Sequence, residues 1–228
     1  MTKINIKNTA IIIPALNEEL TIEKVVFNSH RIGVPIVIDD GSTDLTASLA
    51  LNAGAYVLSN DFNIGYEASL NHGFKKAIEL GFEFALTMDA DGQHSIESSQ
   101  LILQTSSNDF DIIIGTRKTK QRIIESLGGF IGKLLWNISD PFSGLKLYRM
   151  SSFSMLGNFN KLNLVGCELM IYAITNNLKI NSTIIDTQPR LDSPRFGNSF
   201  KANYKLLRTL IIILLINFRL KKLHKNLK

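Results

Sequence analysis

The chain has a single cysteine, Cys167, among 228 residues, which excludes an intrachain disulfide and fits a reducing compartment. No proline-rich or acidic low-complexity tract interrupts it, and with 45% hydrophobic and 20% charged residues it reads as a folded globular protein. Long apolar runs are missing too. The longest, 210–216, is seven residues, against the roughly 20 that a bilayer span needs. The first apolar run, Ala10 to Ile13, stops at Pro14, so no signal-peptide core is expected and cytoplasmic residence is the default. Two phosphate-binding signatures are absent. "PALNEE", residues 14–19, stands where a dinucleotide-binding domain carries G-x-G-x-x-G, and no G-x-x-x-x-G-K-[ST] of the common nucleoside triphosphatases occurs. His72 and His94 have no second ligand at zinc-like spacing. Basic residues are not interleaved with aromatics in any nucleic-acid reading motif, so no nucleic-acid partner is expected.

What is present is an alternation of short apolar runs with stretches of helical period: Thr9 to Ile13, Glu18 to His30, Val34 to Ile38, Asp44 to Asn52, Ala55 to Leu58, Tyr66 to Leu80, Phe82 to Met88, Ile96 to Ser106 and Asp111 to Gly115. Strands as continuous as "AIII" and "DIIIG" need cover on both faces, which predicts an α/β fold with a mixed, mostly parallel sheet sandwiched by helices. Ligands of such sheets bind beyond the carboxyl ends of the strands, so the loops after Ile13, Ile38 and Met88 are where chemistry is expected. Beyond residue 117, an amphipathic helical stretch over 118–138, a turn at Asp140-Pro141 and Ser143-Gly144, a strand at Leu145 to Tyr148, a helix near Glu168 to Asn176 and a strand at Ile180 to Ile185 follow. A last helix over about Phe200 to His224 is apolar all round in its middle and basic at both ends. That girdle has to be buried on the domain, on a partner or in a membrane interface. Residues 1–199 therefore read as one domain and 200–228 as a basic-flanked extension. The net charge is +5, and five basic residues lie in the last ten positions. An anionic membrane surface, at roughly 1 kcal/mol per basic residue, suits them; a solvated terminus is the plainer alternative.

The polar loops carry carboxylates. In "FALTMDADGQH", residues 84–94, Asp89, Asp91 and Gln93 stand at alternate positions and would project to one side if the strand geometry persists. Hard cations such as Mg²⁺ or Mn²⁺ take oxygen ligands, and Mg²⁺ uses one or two carboxylates plus substrate phosphates, so this set suits a metal-diphosphate. Two solvated aspartates beside a glycine turn are the alternative. "IVIDDGSTD", residues 36–44, offers Asp39 and Asp40 to a ribose hydroxyl or base N–H, with Ser42, Thr43 or Asp44 as a helix cap. Gly65, Ala68, Gly73 and Ala77 are spaced for close helix packing. Arg117, just past "DIIIG", is placed to meet a phosphate.

In order, "IIIPALNEE", "VIDDGSTD", "NIGYEASLNHG", "MDADGQH", "IIGTRK" and "DPFSGLKLYR" resemble the family 2 glycosyltransferases of GT-A fold, a Rossmann-like architecture. Within these, the sequence is similar to dolichyl-phosphate mannose synthase and the bacterial polyprenyl-phosphate glycosyltransferases, over about residues 9–200. The resemblance implies an inverting displacement that moves a sugar from a GDP- or UDP-linked donor to a polyprenyl phosphate at the cytoplasmic membrane face. It implies donor contacts from Pro14, Asn17, Glu18, Asp39, Asp40, Asp89 and Ala90. Mg²⁺ or Mn²⁺ would sit on Asp89, Asp91 and Gln93, and Arg117 would meet phosphate oxygens. Asp140, in the D-x-x-S-G turn, falls where relatives carry an acidic residue near the reacting centre: a general base for a hydroxyl acceptor, a positioning group for a phosphate. Relatives bind phosphate with a stretch like R-x-x-G-x-S-K. Here "PRFGNSFK" leaves Arg190 or Arg195, with Lys201, in that part, and Tyr66 replaces the basic residue many relatives carry after the glycine of N-x-G. The alternatives are a family 2 enzyme with a saccharide hydroxyl acceptor, as in cell-surface polysaccharide synthesis, and a non-catalytic protein that binds nucleotide-sugar or membrane.

Overall fold

A computed structural model describes residues 3–105, 109–120, 122–156, 162, 164–189 and 199–226, with side chains in the last helix described from Ala202 to Phe218. The apolar runs form the strands β1 (Thr9–Ala15), β2 (Val34–Asp39), β3 (Tyr56–Ser59), β4 (Phe84–Thr87), β5 (Ile112–Arg117), β6 (Lys146–Arg149) and β7 (Ile180–Ile185). They make one seven-stranded sheet in the order β3-β2-β1-β4-β6-β5-β7, in which only β6 runs antiparallel to its neighbours. The helices are α1 (Ile22–Ser29), α2 (Thr46–Asn52), α3 (Tyr66–Glu79), α4 (Ile96–Thr105), α5 (Ile123–Trp136), α6 (Met150–Leu156), α7 (Glu168–Thr175) and α8 (Ser199–Asn226). A short 3-10 turn at Ile6–Asn8 and α6 were not anticipated from the sequence.

Both faces of the sheet are covered, as the uninterrupted runs require. Along β1, Ala10 and Ile12 face one core and Ile11 and Ile13 the other, all at 0% exposure. The spacing of small residues in α3 has a steric reason at Gly73: a Cβ there would lie 2.4 Å from Ile12 Cγ2 and 2.7 Å from Ile38 Cδ1, so only glycine lets α3 rest on β1 and β2. Phe74 on the same helix packs edge-on to Tyr148 and is stacked on Phe153, joining α3 to β6 and α6.

In the second half the most buried positions of α5 are not its large apolar ones, of which Ile124, Ile131 and Trp136 are only partly buried against the core. Glu125, Gly128, Gly129 and Gly132 turn inward, and the Phe142 ring and the carbonyl oxygens of Ser139 and Ile138 lie where the three glycine Cβ atoms would be. Ile123, Leu127, Phe130 and Leu134 face outward. Helix α8 packs on α5 and α7 and buries Ala202, Leu206, Leu210 and Ile213, while Ile211, Leu215 and Phe218 remain exposed. The apolar girdle is thus half covered by the molecule itself.

Candidate active site

A cavity of about 540 Å³ opens beyond the carboxyl ends of β1, β2 and β4, where the alternation of strands and helices places it. Its lining includes Pro14, Glu18, Asp40, Asp89, Ala90, Asp91, Gln93 and Arg117, eight of the residues singled out in the sequence. Asn17 and Asp39 are not among the lining residues. Asn17 takes φ 53 and accepts from Thr43 N at 2.8 Å, binding the loop after β1 to the loop after β2, while Asp39 Oδ1 accepts from Ser42 N at 3.2 Å within the loop after β2. Asp40 lines the cavity, and its carboxylate also anchors residues 60–65, accepting from Asn60 Nδ2, Ile64 N and Gly65 N at 2.9–3.0 Å. Asp44, rather than Ser42 or Thr43, caps α2, through Thr46 N at 2.9 Å.

The acidic stretch does not converge by strand alternation. Strand β4 ends at Thr87, and a turn with Gly92 at φ 73 brings Asp89, Asp91 and Gln93 to one cavity, with Asp91 Oδ1 accepting from Gln93 N at 3.0 Å. Asp89 is held on both oxygens: Tyr66 Oη–H donates to Oδ1 at 3.4 Å and His94 Nε2 reaches Oδ2 at 3.2 Å. Burial by itself would raise this carboxyl. The hydrogen bond and charge of His94, with Arg117 and Tyr66, outweigh it and hold Asp89 below the usual aspartate value. Burial and the same carboxylate push the Tyr66 phenol well above its ordinary range, so Tyr66 remains a donor. His94 Nδ1 is buried without a hydrogen-bond partner among the described residues.

The donor set fits a hard cation, since Asp89, Asp91 and Gln93 offer carboxylate and amide oxygens and no sulfur. Gln93 Nε2 donates to the carbonyl of Gln188 at 3.4 Å, which leaves Oε1 as the amide's ligand atom. Room for the Asp89 carboxylate depends on Gly144, where a Cβ would lie 2.1 Å from Asp89 Oδ2. Among the described residues no three His, Cys, Asp or Glu side chains gather as a complete cage. A cation here would need substrate oxygens to finish its shell, as Mg²⁺ commonly does.

Asp140, expected near the reacting centre, lies behind Arg117. It is 0% exposed and does not line the cavity; both its oxygens are taken by Arg117, with Nε to Oδ2 at 2.7 Å and Nη2 to Oδ1 at 2.9 Å, and Arg117 N adds a third bond at 3.1 Å. A carboxylate so enclosed holds the Arg117 guanidinium in one orientation. Burial works against the Arg117 charge, but Asp140, then Glu125 and Asp89, more than offset it and keep the guanidinium protonated.

Sequence reasoning missed Arg122, Glu125 and Lys205 as members of the site. Arg122 precedes α5, its Nη1 lies 3.6 Å from Glu125 Oε1, and Glu125 in turn lies 3.6 Å from Arg117 Nη1. Lys205 belongs to α8, 83 or more residues away along the chain from either arginine, and no motif could have announced it. Arg190 and Arg195 lie outside the described residues, as does the side chain of Lys201.

The sequence profile described as "Glycosyl transferase family 2" matches residues 10–157. The chain belongs to glycosyl transferase family 2. It is 27% identical over 237 residues to the UDP-N-acetylglucosamine-dolichyl-phosphate N-acetylglucosaminyltransferase of Methanococcus voltae, an alignment spanning 89% of this chain and 94% of that one. It is 28% identical over 161 residues to the undecaprenyl-phosphate mannosyltransferase of Micrococcus luteus, covering 60% of this chain and 65% of the relative. Glucosyl-3-phosphoglycerate synthase from Mycobacterium tuberculosis, solved with Mn²⁺, UDP and glucosyl-3-phosphoglycerate, superposes with a TM-score of 0.70 at 19% identity over 92% of this chain and 79% of that chain, a likeness of fold. In this family 2 glycosyltransferase the matched segment contains the acidic turn, Arg117, Asp140 and α5, while α7, β7 and α8 lie beyond it.

Proposed function

We propose that the protein transfers a sugar from a nucleoside diphosphate sugar, with UDP the first donor to test, to a polyprenyl phosphate at the cytoplasmic face of a membrane. One observation carries the reading: the acidic turn Asp89–Gln93 and the cationic side chains Arg117, Arg122 and Lys205 line the same cavity. Such a site accommodates a metal-bound diphosphate and a second anion at once. The relatives named for dolichyl-phosphate and undecaprenyl-phosphate transfer support the same acceptor class.

Asp89, Asp91 and Gln93 would hold Mg²⁺ or Mn²⁺, which supplies positive charge to a departing diphosphate. Arg117, fixed by Asp140, orients an anionic oxygen without having to reorganise. The acceptor phosphate oxygen attacks the anomeric carbon opposite the diphosphate; the new carbon–oxygen bond forms as the old one breaks, its electron pair leaves with the nucleoside diphosphate, and the configuration inverts. A phosphate acceptor is already ionised and needs no base. A saccharide hydroxyl would need one, and the expected candidate, Asp140, is enclosed by Arg117.

The test is thermal stabilisation by UDP and GDP with and without Mn²⁺, followed by transfer of labelled sugar to a short-chain polyprenyl phosphate and to saccharide acceptors. Nucleotide at about 100 times its Kd should add roughly 2.7 kcal/mol, and a fixed nucleotide concentration should add more with metal than without because the metal lowers Kd. Product on a saccharide but not on the phosphate would reverse the assignment of the acceptor.

A further inference from the structure

We infer that α5 and α8 together form a monotopic docking face for an anionic lipid surface, with α5 as the inserting element. The purpose of such docking rests on the polyprenyl-phosphate reading above; the face itself does not. On α5, Ile123, Leu127, Phe130 and Leu134 recur at intervals of four, three and four residues along one side and are 91%, 45%, 69% and 74% exposed. On α8, Tyr204, Leu207, Ile211, Leu215 and Phe218 do the same. The two helices pack on each other and are joined by Trp136 Nε1 donating to Asn217 Oδ1 at 3.1 Å. No helix among the described residues is long and apolar enough to cross a membrane, which leaves lying on the surface as the mode of contact.

Charge selects the occupant. Glu125 is the only acid in α5 and is buried; α8 contains none in 28 residues but has seven lysines and arginines. Lys133 and Arg208 are exposed beside the apolar rows. Other exposed apolar side chains, Leu20, Phe27, Leu45 and Phe62, have the exposed acids Glu19, Glu23 and Asp61 close to them in the chain, which an anionic surface would repel. The acid-free face also meets the cavity, since Arg122 at the start of α5 and Lys205 of α8 both line it. A lipid phosphate held in the headgroup layer could therefore reach Arg117 while its chain stays in the bilayer.

Flotation of the full chain with vesicles, in the absence of acceptor, tests this. The wild type should float with vesicles of three parts phosphatidylcholine to one part phosphatidylglycerol, at least about tenfold better than with phosphatidylcholine alone, and lose that advantage at high salt. Phe130→Ser with Leu134→Ser should weaken flotation by about tenfold or more, while Phe27→Ser should not. The substitutions are at exposed positions, and thermal unfolding with UDP and Mn²⁺ reports whether the fold and nucleotide site remain. A wild type that stays at the bottom of the gradient, a double variant that floats equally well, or a dimer broken by the same two changes overturns the inference. Lost flotation with intact nucleotide stabilisation touches the docking face alone, whereas absent nucleotide stabilisation with normal flotation touches the transferase reading alone.

Discussion

The loops after β1, β2 and β4 and the wall formed by Arg117, Arg122 and Lys205 border one cavity but are held in different ways. The first are tied by short polar side chains to nearby backbone: Asp40 to residues 60–65, Asn17 to Thr43, and Thr21 Oγ1 to the carbonyl of Ala90 at 2.7 Å. In the second the two arginines are tied by ion pairs to buried carboxylates, Arg117 with Asp140 and Glu125, and Arg122 with Glu125. Neutral or singly charged bonds to backbone tolerate the loss of one partner at about 1–3 kcal/mol, whereas an ion pair in the interior leaves a naked charge when broken. The cationic wall is therefore the more brittle half.

Asp140→Ala should show this most plainly, lowering unfolding stability by about 3–5 kcal/mol in urea titration because Arg117 loses its enclosed counter-charge. Activity should fall alike for phosphate and saccharide acceptors. A loss under about 1 kcal/mol would mean that Arg117 is held by something else. Asp89→Asn and Asp91→Asn should weigh more on function than on stability: a roughly 10²–10³-fold drop in turnover and loss of the extra stabilisation by Mn²⁺, with a fall in unliganded stability smaller than that of Asp140→Ala and larger for Asp89, whose carboxylate His94 and Arg117 stabilise, than for Asp91. If either variant still responds to Mn²⁺ like the wild type, the acidic turn is not the cation site. Gly73→Ala, beneath the donor loops, should cost about 1–3 kcal/mol through its clash with Ile12 and Ile38, and an unchanged midpoint would show that α3 can lift off β1.

The smallest effect belongs to Asp44. Burial opposes its ionisation, yet bonds from Thr46 and Glu19 place its carboxyl below the usual value of 3.8. A native value below the unfolded one stabilises the fold fully above the unfolded value, and the gain is lost as the pH falls through the native value. Asp44→Asn should cost under about 1 kcal/mol near neutral pH, and its gap from the wild type should close in thermal melts as the pH falls through and below the usual aspartate value. A gap that widens on acidification would contradict the sign.

Much of the first half was legible because each signal is local. Runs such as Ala10–Ile13 are too apolar for a strand with one wet face, and carboxylates directly after them mark the ligand end of the sheet. The turn at Gly92 was harder: alternation predicts an extended Asp89 to Gln93, while the convergence comes from the glycine's φ of 73. In α5 the apolar period was visible, but the helix buries Gly128, Gly129 and Gly132 instead, because residues 138–142 approach too closely for any side chain.

The sequence by itself determined the layered α/β fold, the position of the cavity at the strand ends and the oxygen-only character of the acidic turn, since strand burial and ligand chemistry follow from residue type and short spacing. Only the tertiary structure decided that Asp140 stands behind Arg117 rather than in the cavity, that Arg122 and Lys205 join the site, and that α5 shows its apolar row to the outside. Each of these depends on which distant elements meet, and contacts between distant segments leave no period in the chain.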